Sequence, residues 1–427
     1  MNDQSLPVNK ERKNRSQYVI LTMRCTCFFL LLTLAKVFSQ TPAPAGLNVH
    51  KSDWIGTWGT ARQLVEPANM PPDPGLSNST LRQVVCVSAG GKKLRLKFSN
   101  EFGNAALSIK SVQIAASTGG YFTDSKTEKT LTFNGKPGIG IPQGEETISD
   151  PLKFDLKPRA EIAITIIFGT TPTALTGHPG SRTTSYLLNS EHASNDADFA
   201  TATKTDHWYV ITGIEVEKGS STASVVVFGD SITDGRGSGT NKQNRWPDIL
   251  AMNLQARGNK SVGVLNMGIG GNAVLKGGLG PTGLKRFEHD VLKQAGVRWL
   301  IIFEGVNDLG GTRDSLAAFQ VADGLIAAYD KMITEAHGQG IKVYGATITP
   351  FKKSFYYRSY RDSARNKINE WIRSSGHFDA IIDFDKVLRD PQDTATLLST
   401  AQSGDYLHPN ELGYKLLGEA VNPGLFK

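Results

Sequence analysis

Ser224-Val225-Val226-Val227-Phe228-Gly229-Asp230-Ser231-Ile232-Thr233-Asp234-Gly235 is the stretch around which the chain is organised. A run of apolar, mostly β-branched residues reads as a strand buried on both faces, the habit of a parallel sheet. Gly229 breaks that strand, which puts Asp230 and Ser231 at its carboxyl end, where open α/β sheets handle their ligands. Taken alone, Ser231 reads as the cap of the following helix. Three later stretches change that reading.

After this strand the sequence alternates strand and helix. Trp246-Pro247 opens a helix, with proline suited to its first turn. A second strand, Val262 to Met267, runs into Gly268-Ile269-Gly270-Gly271-Asn272, and a third, Val297 to Phe303, into Glu304-Gly305-Val306-Asn307-Asp308. Apolar positions 325, 326, 329, 332, 333 and 336 share one helical face. A fourth strand spans Ile341 to Ile348, and an Arg361–Arg373 helix and an Ala380–Phe384 strand follow. This rhythm predicts a parallel sheet covered by helices on both faces.

Residues 53–218 read differently, as short alternating runs with glycine-rich turns. Lys93 to Phe98 alternates strictly, as do Leu152-Phe154-Leu156 and Ile162-Ile164-Ile166. Asn134-Gly135 is a hairpin turn signal. The expectation is a β-sandwich, jelly-roll-like, over 53–218, joined by a short Lys218–Ser221 junction to an α/β domain over 222–427.

Ahead of these lie a linker, 40–52, and a segment, 1–39, with a basic start and a largely apolar stretch from Tyr18 to Ala35 whose only charge is Arg24, or from Cys25 to Ala35 if Met23 is the start. That pattern predicts a secretory signal cleaved near Ser39, hence a secreted or periplasmic protein, with translation starting at Met1 or Met23. Removing residues 1–39 takes away six basic and two acidic side chains and lowers the net charge from +7 to +3. A charge that modest argues against nucleic acid or stable membrane association as partners. Cys86 would be the only cysteine left, so no intrachain disulfide is expected, and its apolar surroundings make it a buried small hydrophobe.

The three strand-end turns supply Ser231, Gly271 and Asn307. Near the C-terminus, Asp405-Tyr406-Leu407-His408 places a carboxylate three residues before a histidine, able to hold Nδ1 and leave Nε2 as a base. A serine hydroxyl needs such a base to attack a carbonyl, and the oxyanion that forms needs fixed donors. Gly229-Asp230-Ser231-Ile232, the glycine turn 268–272, Gly305-Val306-Asn307-Asp308 and Asp405–His408 together resemble the ordered blocks of the SGNH (GDSL) hydrolase superfamily, with isoleucine where that family usually has leucine after the serine. The resemblance implies a flavodoxin-like α/β/α domain and metal-independent ester hydrolysis without a cofactor. It also implies Ser231 as nucleophile, Gly271, Asn307 and the Ser231 N–H as oxyanion hole, and His408 with Asp405 completing a triad. A β-rich module ahead of the hydrolase resembles secreted bacterial acylhydrolases, some acting on acetylated polysaccharides.

The alternatives are a lipase or lysophospholipase acting on longer acyl esters and a carbohydrate-binding protein with an inactive hydrolase domain. Gly268–Ala273 fits G-x-G-x-x-A, but Gly277, Gly278, Gly280 and Pro281 separate it from any helix, which excludes a dinucleotide site. Asp230 and Asp308 read as turn braces, His178 as a loop histidine, and Phe355-Tyr356-Tyr357-Arg358 as a solvated loop.

Overall fold

The computed structural model describes residues 52–190, 196–217, 219 and 222–427. The expected signal segment, nearly all of the 40–52 linker and most of the Lys218–Ser221 junction lie outside the described residues.

The described residues between 54 and 217 fold into antiparallel sheets. One contains β1 (Trp54–Gly59), β2 (Gly91–Ser99) and β4 (Ile211–Glu217), with β4 between the other two. A second, seven-stranded sheet includes β3 (Glu161–Phe168). Their inner faces share one apolar core, to which β2 gives Leu94, Leu96 and Phe98 and β3 gives Ile162, Ile164 and Ile166. This is a sandwich. The alternation in β3 promised one wet face, yet Ala163 and Thr165 on its other face are buried as well. Asn134 and Gly135 both take positive φ between Phe133 and Lys136, which exchange backbone hydrogen bonds in a tight hairpin.

The second half is a five-stranded parallel sheet. In chain order its strands are β5 (Ala223–Gly229), β6 (Val262–Gly268), β7 (Val297–Phe303), β8 (Lys342–Ala346) and β9 (Ala380–Ile382). Their spatial order is β6-β5-β7-β8-β9, a flavodoxin-like winding whose direction reverses at β5. Every residue of β5 is buried, and its two faces feed separate cores. Val226 and Phe228 pack beneath the helices Ser315–Gly338 and Ser359–Ser374. Val225 and Val227 pack beneath Trp246–Ala256 and Glu411–Ala420. The result is the expected three-layer α/β/α arrangement, with the reversal placing the ends of β5, β6 and β7 side by side.

The sandwich covers the edge of this sheet. Gly56 and Gly59 of β1 lie so close to β6 that a Cβ would sit 2.6 Å from Leu265 and 2.7 Å from Met267. Ser88 accepts from the Val264 N–H at 2.7 Å, and the Gly56 N–H reaches the Ala295 carbonyl at 3.0 Å. An edge strand that would otherwise expose unpaired backbone is thereby occupied.

Candidate active site

Gly229 closes β5, and Asp230 caps the one-turn helix Ser231–Asp234 by accepting from the Ile232 N–H at 2.9 Å. The capping role thus belongs to Asp230, leaving the Ser231 hydroxyl free to donate to His408 Nε2 at 2.9 Å. Burial pushes the Asp230 carboxyl up to about 7, against the Ile232 hydrogen bond and with the added repulsion of Asp308. At Gly268 the backbone of that turn comes so near that a Cβ would lie 2.3 Å from the Asp234 nitrogen. Only glycine lets β6 end this close to Ser231.

His408 is held from the other side. Asp405 Oδ1 accepts the Leu407 and His408 backbone N–H groups at 3.0 and 2.9 Å, and Oδ2 lies 2.6 Å from His408 Nδ1. An ionised carboxylate only accepts, so Nδ1 carries the proton and Nε2 turns its lone pair to Ser231. Burial would raise the Asp405 pKa, but the His408 backbone and ring bonds outweigh it and hold the group below its ordinary value. His408 is only 4% exposed, and burial moves it below the usual histidine value, against Asp405 and aided by the positive charges of Arg236 and Arg182. A neutral ring of this kind accepts a hydroxyl proton near neutral pH.

Asn307 stands at the start of the short helix Val306–Gly310, after Gly305 with φ +114°. Its Nδ2 donates to the Asn272 carbonyl at 2.8 Å, and Tyr356 Oη donates to its Oδ1 at 2.9 Å. Because the carbonyl can only accept, the amide orientation is fixed, and Nδ2 keeps a second hydrogen for the cleft. Gly271, at φ +70°, sits beneath Leu279. Among the described residues neither the Ser231 nor the Gly271 N–H has a hydrogen-bond partner. Asp308 braces the loop after Gly271 by accepting from Val274 and Leu275 at 2.9 Å each.

Ser231, Gly271, Asn307 and His408 thus face one cleft of ≈ 380 Å³, with Asp405 behind the ring. Its far wall comes from the sandwich: Gln63, Glu66, Asn69, Arg182 and His207. A hollow of ≈ 600 Å³ shares Asn307 and continues past Leu275 and Arg313. His178 is no loop histidine. It ends a short strand, is 3% exposed, and bridges the Ala61 carbonyl at 2.7 Å to Asp234 at 2.8 Å. Arg182 donates to the same carboxylate at 3.3 Å. The Phe355–Arg358 segment also departs from a plain solvated loop, since Tyr356 orients Asn307 while Phe355 is exposed beside it at the cleft. Tyrosine beside phenylalanine was the available signal, but nothing local says that its hydroxyl reaches residue 307. Cys86 is buried as expected, its thiol pushed up to about 12 by burial.

Residues 227–416 match the model of the GDSL-like Lipase/Acylhydrolase family. Among solved structures, a G-D-S-L family protein from Desulfitobacterium hafniense DCB-2 is 24% identical, over 47% of this chain and 97% of that one, with a TM-score of 0.36. A lipase/acylhydrolase from Enterococcus faecalis is 23% identical over 47% and 93%, TM-score 0.36. An acetyl xylan esterase from Geobacillus stearothermophilus is 21% identical over 47% and 94%, also with a TM-score of 0.36. Comparison with curated protein sequences finds no match.

Proposed function

Starting from a chain that carries a GDSL-like lipase/acylhydrolase domain, we propose that it is an exported serine carboxylester hydrolase that removes short acyl groups, chiefly acetyl, from carbohydrate. The observation that carries the reading is the relay from Ser231 Oγ through His408 to Asp405, with links of 2.9 and 2.6 Å.

In the proposed mechanism His408 Nε2 takes the Ser231 proton as Oγ attacks the ester carbonyl. The imidazolium that forms is stabilised by Asp405. Negative charge gathers on the former carbonyl oxygen, within reach of the Ser231 and Gly271 N–H groups and the spare Asn307 Nδ2 hydrogen. His408 then gives its proton to the leaving alkoxide, which departs as an alcohol. A water, deprotonated by the same ring, releases the acid and restores Ser231. The role of export rests on the basic and apolar pattern of residues 10–35.

The preference for short acyl groups rests on the cleft lining. Gln63, Glu66, Asn69, Arg182, His207 and Arg236 outnumber the apolar Pro179, Leu279, Phe355 and Leu407. A long chain would need apolar cover for each methylene, worth about 0.8 kcal/mol apiece. These four are too few to cover a long chain, and Phe355 serves a sugar ring equally well. The test is kcat/KM over aryl esters of rising acyl length, with EDTA present, beside an acetylated glycan. A steep decline from acetate to octanoate with acetate released from the glycan is expected. A preference for octanoate moves the protein to the lipase reading.

A further inference from the structure

We infer that Arg286 is the positioning residue that keeps the three oxyanion donors in register. The inference rests on the proposed reading of Ser231, Gly271 and Asn307. Arg286 lies in the one-turn helix Gly283–Phe287, is 4% exposed and does not line the cleft. It acts through what it holds.

A guanidinium has five N–H donors in one plane, and each finds an acceptor here. Nε donates to Asn272 Oδ1 at 2.9 Å. Nη1 donates to the Met267 carbonyl at 2.6 Å and to Asp290 at 3.1 Å. Nη2 donates to the Gly229 carbonyl and to Glu304 Oε1, both at 2.9 Å. These acceptors are not scattered. Gly229 ends β5, two residues before Ser231. Met267 and Asn272 bracket Gly271 at the end of β6. Glu304 follows β7, three residues before Asn307. One rigid group therefore ties together the three strand ends that deliver the three donors. Asn272 completes the tie, since its backbone carbonyl receives Asn307 Nδ2.

Stability alone accounts poorly for this arrangement. Buried ion pairs are often no more stabilising than apolar groups of similar size. Here the Oε2 of Glu304 is buried without a hydrogen-bond partner, a costly state for a carboxyl. What the fork supplies is geometry. Oxyanion donors act over a narrow range of distance, and a misplacement of about 1 Å costs about 10²-fold in rate. Lysine keeps the charge but cannot reach five coplanar acceptors from one ammonium.

The experiment is steady-state hydrolysis of an aryl acetate by the full chain carrying Arg286→Lys, with thermal unfolding as the check on folding. Expected is a fall in kcat of about 10- to 10³-fold with KM within about threefold. The acid limb of the pH profile should stay in place, because His408 and Asp405 are untouched. Asn272→Ala and Asn272→Asp decide the matter if Arg286→Lys does not fold. Both lose the amide donors to the Leu279 and Pro281 carbonyls, but only aspartate keeps the acceptor for Arg286 Nε. The alanine variant should therefore lose about tenfold more kcat than the aspartate variant. Folded Arg286→Lys with wild-type kcat, a loss confined to KM, or equal kcat in the two Asn272 variants would overturn the inference while leaving the esterase reading intact. A wild-type chain inactive on every ester removes both.

Discussion

The two walls of the cleft are built in opposite ways. One is made by the ends of β5, β6 and β7 with the Asp405–His408 turn, where Ser231 and His408 are 6% and 4% exposed and their side chains are linked to each other and to Asp405. The other is made by loops of the sandwich, where Glu66 and His207 are only half-buried and Arg182 reaches across to Asp234. A parallel sheet places its strand ends by the register of its own hydrogen bonds, so reacting groups mounted there inherit the rigidity of the core. Loops carried on a separate sandwich inherit nothing of the kind and must be tied to the sheet. The tie is His178, whose ring spans from the Ala61 carbonyl to Asp234, three residues after Ser231. On the proposed reading, the strand-end wall performs the chemistry and the sandwich wall is left to meet the alcohol part of the substrate.

That division can be broken at several points. The largest effect is expected from His408→Ala, which should lower kcat by about 10⁴-fold or more, because base and nucleophile act as a unit. Next, Asn307→Ala should cost about 10²–10³-fold in kcat with little change in KM. Tyr356→Phe, which leaves Asn307 Oδ1 without its donor, should cost about tenfold, the worth of one hydrogen bond. On the other wall, His178→Ala leaves the buried Asp234 carboxylate short of a partner and should lower stability by about 1–3 kcal/mol, read by denaturant unfolding. It should raise KM for a glycan substrate more than it lowers kcat for an aryl acetate. If it lowers kcat as Asn307→Ala does, the two walls are not separable. The smallest effect is on pH. His408 must be neutral to act, and burial holds its pKa below the ordinary value of 6.5. The acid limb of kcat/KM should therefore fall below pH 6.5, with activity lost as pH drops through it and flat above. A limb above 6.5 would mean that the Asp405 bond outweighs burial.

How much of this was legible in the sequence also divides along the two walls. A strand buried on both faces announces itself by composition, so β5, β6 and β7 and the residues at their ends could be read from runs such as Val225-Val226-Val227-Phe228. Asp405 and His408 were legible because they are near neighbours in the chain. Gln63, Glu66, Arg182 and His207 carry no such mark. They meet Ser231 only because β1 packs on β6, a contact made by glycines whose use is close approach rather than any local pattern. His178 shows the same limit. Its partner Asp234 is 56 residues away, and a histidine before proline gives no hint of burial. Arg286 carries no mark either, because its five acceptors come from three different strand ends and a helix neighbour.

Everything proposed for the cleft depends on Ser231 Oγ being the nucleophile. An aryl phosphonate ester, which is attacked by an activated serine and stays attached, tests it directly when the full chain is titrated and the adduct located by peptide mass spectrometry. Expected is one adduct per chain, on Ser231, with ester hydrolysis falling in proportion to labelling and no adduct on the His408→Ala variant over the same time. An adduct elsewhere, or full hydrolytic activity in a chain fully labelled at Ser231, would contradict it.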